Sequence, residues 1–560
     1  MNRTEWYKNA IIYQIYPFSF MDANNDGWGD IEGIISKLDY LKELGVTAIW
    51  FSPLYKSPDY DYGYDIADYR DIDPKFGTLD DFKKMLKLCH EKDIKVIMDI
   101  AINHTSTEHE WFKKAIADTN SPYRDYYIIR QGKRTTKKLL PPTNWDSTFT
   151  GSAWENINGT DDFYLHLFCV EQADLNWDNQ KVRDEAVEIF NYWFDMGVDG
   201  FRLDVFNMFS KVYPLKDAKK KIAGTGGEYY IDGPRMHEFL KELNERSFSK
   251  YDSYTVGESY SPHEEDAKAY VKKENHELDT IFNFAHLDSD NMSKFFKKKF
   301  SLKKFKEGLL GPQIANYHDG WNTLVLENHD CPRSNSRFDI DVKKYHYEAS
   351  TMLPAVTFLG FGTPFIYMGE EFGMSNVYFN SIDECKDPVS HFIYNTFTGY
   401  HLPKWFAMKC VNFGARDMAR VPMRWDETIN NGFNKGQSPW QDPRIPLVDV
   451  SLEKDLSNEK SVFRFYQKVL NIKKNETAAI HGDVTEFNHD DNQIIAYLRK
   501  YENEGLFVFA NFSSKTKTYS IPIEVAKQNN EIILTNYDIN EIRETVDLRP
   551  YEVVVLKLQY

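Results

Sequence analysis

At 560 residues the chain is too long for a single domain of about 100–200 residues, so a large core domain with smaller attachments is expected. A formal charge of −17 and a pI near 5.4 would repel a phosphate backbone, which argues against nucleic acid as a partner. Five cysteines without CxxC spacing suggest neither a disulfide framework nor a zinc site. With no apolar stretch near ~20 residues and no signal-peptide pattern, a cytoplasmic monomer without membrane contact is expected.

Short apolar runs of strand character alternate with helical periodicity along most of the chain, the pattern of βα units and a parallel sheet. In chain order these runs are 11–17, 48–53, 95–104, 200–205, 254–258, 281–285, 323–330 and 364–369. Eight of them predict an α/β fold of the (β/α)8 barrel type. Phe82, Met85, Leu86 and Cys89 mark one intervening helix behind a Thr78–Asp81 capping pair. Val182, Ala186, Ile189 and Trp193 mark another, ended by Gly197. Residues 105–173, rich in Pro, Trp, Asn and Thr, lack a clear helical period and are expected to form an inserted domain. The barrel then comprises 1–104 and 174–478, and alternating strands after 478 predict an antiparallel β-sandwich over 479–560. The basic runs at 219–221 and 297–299 are expected to be solvated helix faces.

Barrel chemistry sits where strands end, so polar residues closing apolar runs are the candidates. DIAINH ends on Asn103 and His104, GFRLDV holds Arg202 and Asp204, TVGES holds Glu258, and LENHD ends on His329 and Asp330. A strand period of two puts Arg202 and Asp204 on one face and Val205 on the other. The adjacent guanidinium is expected to depress the Asp204 pKa, as suits a nucleophile. Read alone, the pair serves equally well as a structural ion pair. Glu258, closing an apolar run, is expected to have a raised pKa, as a general acid requires. Two carboxyls flanking a glycosidic bond are what retaining hydrolysis uses.

A second cluster, Asp22, Asn24, Asp26, Trp28 and Asp30, repeats oxygen ligands at alternate positions, as in the first half of an EF-hand loop. Gly33 stands where a bidentate Glu would be. Ca2+, or else Mg2+, is the candidate ion, and an Asx-rich turn is the other reading.

GFRLDV, VGES and ENHD, in that order and with DIAINH before them, resemble the signature regions of the α-amylase family, glycoside hydrolase family 13. QADLNW resembles the QPDLNW signature of its oligo-1,6-glucosidase subfamily, which also holds trehalose-6-phosphate hydrolases, dextran glucosidases, maltases and sucrose isomerases. The resemblance implies Asp204 as nucleophile, Glu258 as acid/base and Asp330 as the third acid, with Arg202, His104 and His329 lining the same subsite. It implies that Asp61 and Tyr64 of DYGYD bind the terminal glucose with Arg416, that Phe149, Phe168 and Gln172 form the pocket wall, and that the Asp22–Asp30 loop holds Ca2+. Exo-action on an oligosaccharide or disaccharide follows. Val205 after the nucleophile goes with α-1,6 preference, unless it is barrel packing.

Trehalose-6-phosphate hydrolysis is the first alternative, because YIDGPRMHEFLKELN resembles a segment of that enzyme and supplies Arg235 and lysines for a phosphate. Lower stand α-1,4-glucosidase or sucrose-directed activity and transglycosylation. A non-catalytic transporter subunit would need a membrane segment.

Overall fold

The computed structural model describes residues 3–149, 151–221, 224–260, 262–293, 295–539, 542 and 544–560. Strands occur at all eight expected places: β1 (Ile12–Ile15), β2 (Ala48–Phe51), β3 (Lys95–Ile100), β4 (Gly200–Leu203), β5 (Tyr254–Gly257), β6 (Thr280–Ile281), β7 (Thr323–Val325) and β8 (Thr363–Tyr367). Most are shorter than the apolar runs predicted, because the polar closing residues leave the strand direction. By internal packing the chain divides into one unit of residues 1–5, 50–88 and 95–281 and another of 6–49, 89–94 and 282–560.

In the first unit β4 runs parallel between β3 and β5, with β6 parallel to β5. Residues of β4 and β5 are buried throughout, as strands of a covered parallel sheet must be. Helix α1 (Leu79–Glu91) starts on the expected capping pair: Asp81 accepts from the Thr78 amide and hydroxyl, and Thr78 accepts from the Asp81 amide. Residues 105–173, which fall within the first unit, contain a helix that their composition did not suggest, α2 (Glu110–Ala117), started by His109, whose Nδ1 accepts from the Trp111 amide. Helix α3 (Gln180–Met196) ends on Gly197 at φ 109°, a left-handed conformation that glycine adopts without strain. Helices α4 (Met236–Arg246) and α5 (Glu264–Tyr270) flank β5. The stretch 105–173 otherwise forms short antiparallel ladders, and its Trp145, Trp154 and Phe168 share an apolar cluster with Val205 and Met208.

In the second unit β8 runs parallel between β1 and β7. Residues 483–559 supply the expected antiparallel domain: a five-stranded sheet and a two-stranded one (Lys517–Ser520 with Thr545–Leu548) enclose Phe507, Phe509, Tyr519, Leu548 and Leu556. The basic runs are not helical: Lys219–221 lie exposed on irregular backbone, and Lys297 ends a short strand. Among the described residues no helix is long and apolar enough to cross a membrane.

Candidate active site

Parallel register sets Arg202 beside Asp99 on β3 and beside Val256 on β5, two residues ahead of Glu258. Its guanidinium therefore reaches three acids. Nη1 lies 2.8 Å from Asp99 Oδ1 and 2.7 Å from Asp204 Oδ1, while Nη2 pairs with Glu258 Oε2. Asp99, buried within DIAINH, had not been picked out from the sequence. It also accepts from the Tyr64 hydroxyl at 2.9 Å and from the Trp50 indole at 3.2 Å.

The expected depression of the Asp204 pKa is reversed. Burial pushes its carboxyl up to about 6; Arg202 pulls it down, and Asp99 pushes it up again. Burial likewise lifts Asp99 to about 6 against the pull of Arg202. One cation cannot offset the desolvation of the acids it serves.

Around this group the first unit assembles most of the expected sugar-binding residues. The Gln172 amide lies 3.2 Å from Asp61 Oδ2, 3.4 Å from the Tyr64 carbonyl and 3.1 Å from His104 Nε2, which is itself 3.1 Å from that carbonyl. The Phe168 ring lies 5.3 Å from His104 and 5.6 Å from Phe149. Burial keeps the His104 pKa below its usual value, which favours the neutral ring. Asp174 of QADLNW supports His104 and its neighbour, accepting from Lys211 at 2.8 Å and from the Asn103 amide at 3.1 Å.

Val205 departs from the strand alternation predicted for it. β4 ends at Leu203, and Val205 turns at φ 37°, a conformation that a β-branched residue adopts only under strain. Its side chain joins the Phe168 and Phe149 cluster, and the next amide, of Phe206, donates to the Glu258 carbonyl at 3.2 Å.

The second unit carries Asp330, the acid expected as the third of the site. Asp330 follows β7 and is gripped by arginines: Arg420 Nη2 lies 2.8 Å and Arg416 Nη1 3.5 Å from its Oδ1. Both arginines are held by buried Asp387, at 2.7 Å from Arg416 Nε and 2.9 Å from Arg420 Nη1. Burial opposes the charge of Asp387, but the two guanidinium groups outweigh it and hold the pKa below its usual value. His329 Nδ1 bonds the Gln14 amide at 2.7 Å, and its ring stacks with Tyr16. Asp387, Arg420, Gln14 and Tyr16 had not been identified from the sequence; the four-residue spacing of Arg416 and Arg420 was the one available signal for Arg420.

Asp387→Asn is expected to leave two buried cations with too little negative charge. A loss of about 3 kcal/mol of stability and a drop of about 10–100-fold in kcat should follow, read by thermal unfolding and steady-state kinetics.

The Asp22–Asp30 loop is wound about its own carboxylates. Asp22 accepts from the amides of Asn25 (2.6 Å), Asp26 (3.2 Å) and Gly27 (2.8 Å) and from Asn434 Nδ2 (2.9 Å). Asp30 accepts from Ala23, Asn24 and Gly33. Burial, with a smaller push from the charge of Asp22, lifts the Asp30 pKa, a condition that a dication would relieve. The donor set of carboxylate and amide oxygens suits a hard cation.

Comparison with known proteins agrees with this geometry. Residues 14–482 match the catalytic domain of α-amylases and residues 494–555 the C-terminal domain of the SusG α-amylase. The chain is 43% identical to an oligo-1,6-glucosidase of Parageobacillus thermoglucosidasius, over 99% of both chains. It is 42% identical to a trehalose-6-phosphate hydrolase of Bacillus subtilis, again over 99% of both. The crystal structure of the Bacillus licheniformis trehalose-6-phosphate hydrolase superposes with a TM-score of 0.92 at 40% identity, over 99% of this chain and 100% of that one. The eight parallel strands are thus those of an α-amylase-type (β/α)8 barrel, followed by an antiparallel β domain. The chain belongs to the α-amylase family of glycoside hydrolases.

Proposed function

We propose that the enzyme is a retaining, exo-acting α-glucosidase that releases glucose from α-1,6-linked oligosaccharides by double displacement. The observation that carries this reading is the single guanidinium of Arg202 bound to both Asp204 and Glu258. Asp204 attacks the anomeric carbon while Glu258 protonates the leaving oxygen; Glu258 then takes a proton from water, which hydrolyses the glucosyl–Asp204 ester with a second inversion. Asp330, held by Arg416 and Arg420, is assigned to sugar binding.

Trehalose 6-phosphate is the second reading, supported by the relative named above. Against it, Arg235 is already engaged by Asp178 at 2.5 Å and Glu238 at 2.6 Å, so its charge is offset before any phosphate arrives. Product NMR on isomaltose and trehalose 6-phosphate side by side tests both. Release of α-glucose from isomaltose supports the first reading, faster turnover of the phosphorylated sugar supports the second, and initial β-glucose refutes retention.

The Asp22–Asp30 loop is assigned a Ca2+ ion, held by Asp22, Asn24, Asp26, Asp30 and the Trp28 carbonyl, where its charge would relieve the crowding of carboxylates. Adding Ca2+ after chelation should raise the midpoint of thermal unfolding, by about 3 kcal/mol of stabilisation at 100 times Kd. Asp22→Asn should erase the response while barely changing kcat. Five free thiols accord with a reducing, cytoplasmic setting.

A further inference from the structure

Away from the catalytic acids, the first unit gathers a group that the reaction does not use. Asp232 lies in the turn before α4, His263 stands at the start of α5, and Asp266 lies in its first turn. His263 Nδ1 is 3.2 Å from Asp232 Oδ2 and 3.2 Å from Asp266 Oδ2, and the three ligand atoms lie within 4.8 Å of one another. In a tetrahedral zinc site with bonds of about 2.0–2.2 Å, ligand atoms stand about 3.3–3.6 Å apart, so these contacts are close to the edges of such a tetrahedron.

The surroundings orient the ligands as metal sites do. Asp232 has a side chain only 1% exposed, and it is fixed by three donors besides the His263 ring: the His263 amide at 2.8 Å, the Tyr270 hydroxyl at 2.8 Å and Asn207 Nδ2 at 3.0 Å. The other oxygen of Asp266 lies 3.2 Å from His237 Nε2, and His237 Nδ1 lies 2.8 Å from buried Glu277. This carboxylate–histidine–carboxylate chain is the kind of outer-shell support that sets ligand orientation at metal centres. An exposed ion-pair cluster, the plainer reading, gains little from such support.

We propose that Asp232, His263 and Asp266 bind a divalent transition metal of the Zn2+ class, with the remaining position open to water. Neutral imidazole and two carboxylates balance the charge of the ion. The site adjoins the loop that follows the acid/base. Asn207 bonds the Tyr260 amide at 2.8 Å and the Tyr260 carbonyl at 3.0 Å as well as Asp232, so a bound ion would clamp the backbone just after Glu258.

The test is calorimetric titration of Zn2+ into tag-free, chelator-treated enzyme kept in Ca2+, with thermal unfolding in parallel and Co2+ as a spectroscopic probe. Binding of one equivalent, a rise in the unfolding midpoint and an intense visible Co2+ band of four-coordinate type are expected. His263→Thr and Asp266→Asn should each weaken binding at least about tenfold. Without metal, both variants should keep kcat/KM within about twofold of the parent enzyme. Absence of binding heat and of any stability shift in the parent, or unchanged binding in both variants, overturns the proposal.

Discussion

Asp204→Asn should abolish turnover and, near neutral pH, make the enzyme more stable. The loss of kcat is expected to reach at least about 10⁴-fold, because the proposed covalent step loses the carboxylate assigned to it as nucleophile. The gain has a separate cause. A carboxyl lifted from 3.8 to about 6 by burial is one whose ionised form the fold disfavours. At about 1.4 kcal/mol per pKa unit, removing that charge relieves at most about 3 kcal/mol, and less once Arg202 has lost a partner. Asparagine keeps the shape, and Asp99 and Glu258 still hold Arg202. Thermal unfolding at pH 7.5 and at pH 5 checks this. The variant should unfold higher than the parent at the first pH, and the difference should shrink at the second, where Asp204 is protonated in the parent.

The same shifts set opposite pH trends for activity and stability. On the proposed mechanism Asp204 must be ionised to attack, so kcat should fall as pH drops through about 6. For stability, an acid whose folded pKa is raised contributes fully below its unfolded pKa, and the contribution is lost as pH rises through the folded value. Asp99 and Asp204 near 6, and Asp65 and Glu371 near 7, each lifted mainly by burial, all act in that direction. Between pH 7.5 and 5 these groups favour the folded state while the reaction slows. On that mechanism catalytic competence and fold stability draw on opposite protonation states of Asp204.

Much of this arrangement was legible in the sequence, and its gaps have physical causes. Apolar runs located all eight strands, since strands buried on both faces read as continuous hydrophobic stretches. The runs extend past the strand ends, as at Val205 and Asp330, where the chain turns off the sheet. Asp99 carries no signal of its own inside DIAINH, because its partner Arg202 lies 103 residues further along. Asp387 caps the helix Pro388–Gly399 and Arg420 follows a short 3-10 turn, positions that say nothing of a shared partner until folding brings them to Asp330. The sign of the Asp204 shift could not be read from its neighbour two residues away. It depends on burial and on how many acids share one guanidinium.

Arg202→Met should be the most damaging single change in the site. Methionine matches the length of the buried arginine stem but leaves Asp99, Asp204 and Glu258 without their shared cation. Breaking a buried pair on one side typically destabilises by about 3–5 kcal/mol, because the remaining charge is stranded in a poorly solvated place. Here the stranded groups can escape by protonation, since loss of Arg202 removes the main force holding Asp99 and Asp204 down. The sign follows: ionised acids cost most at high pH, so the deficit against the parent should be largest near pH 8 and should narrow towards pH 5. Activity cannot recover in step, because the protonation that rescues the fold removes the nucleophile. Thermal midpoints and kcat/KM measured across that range separate the two effects. A deficit that stays constant with pH would mean that the acids around Arg202 are not coupled through its charge.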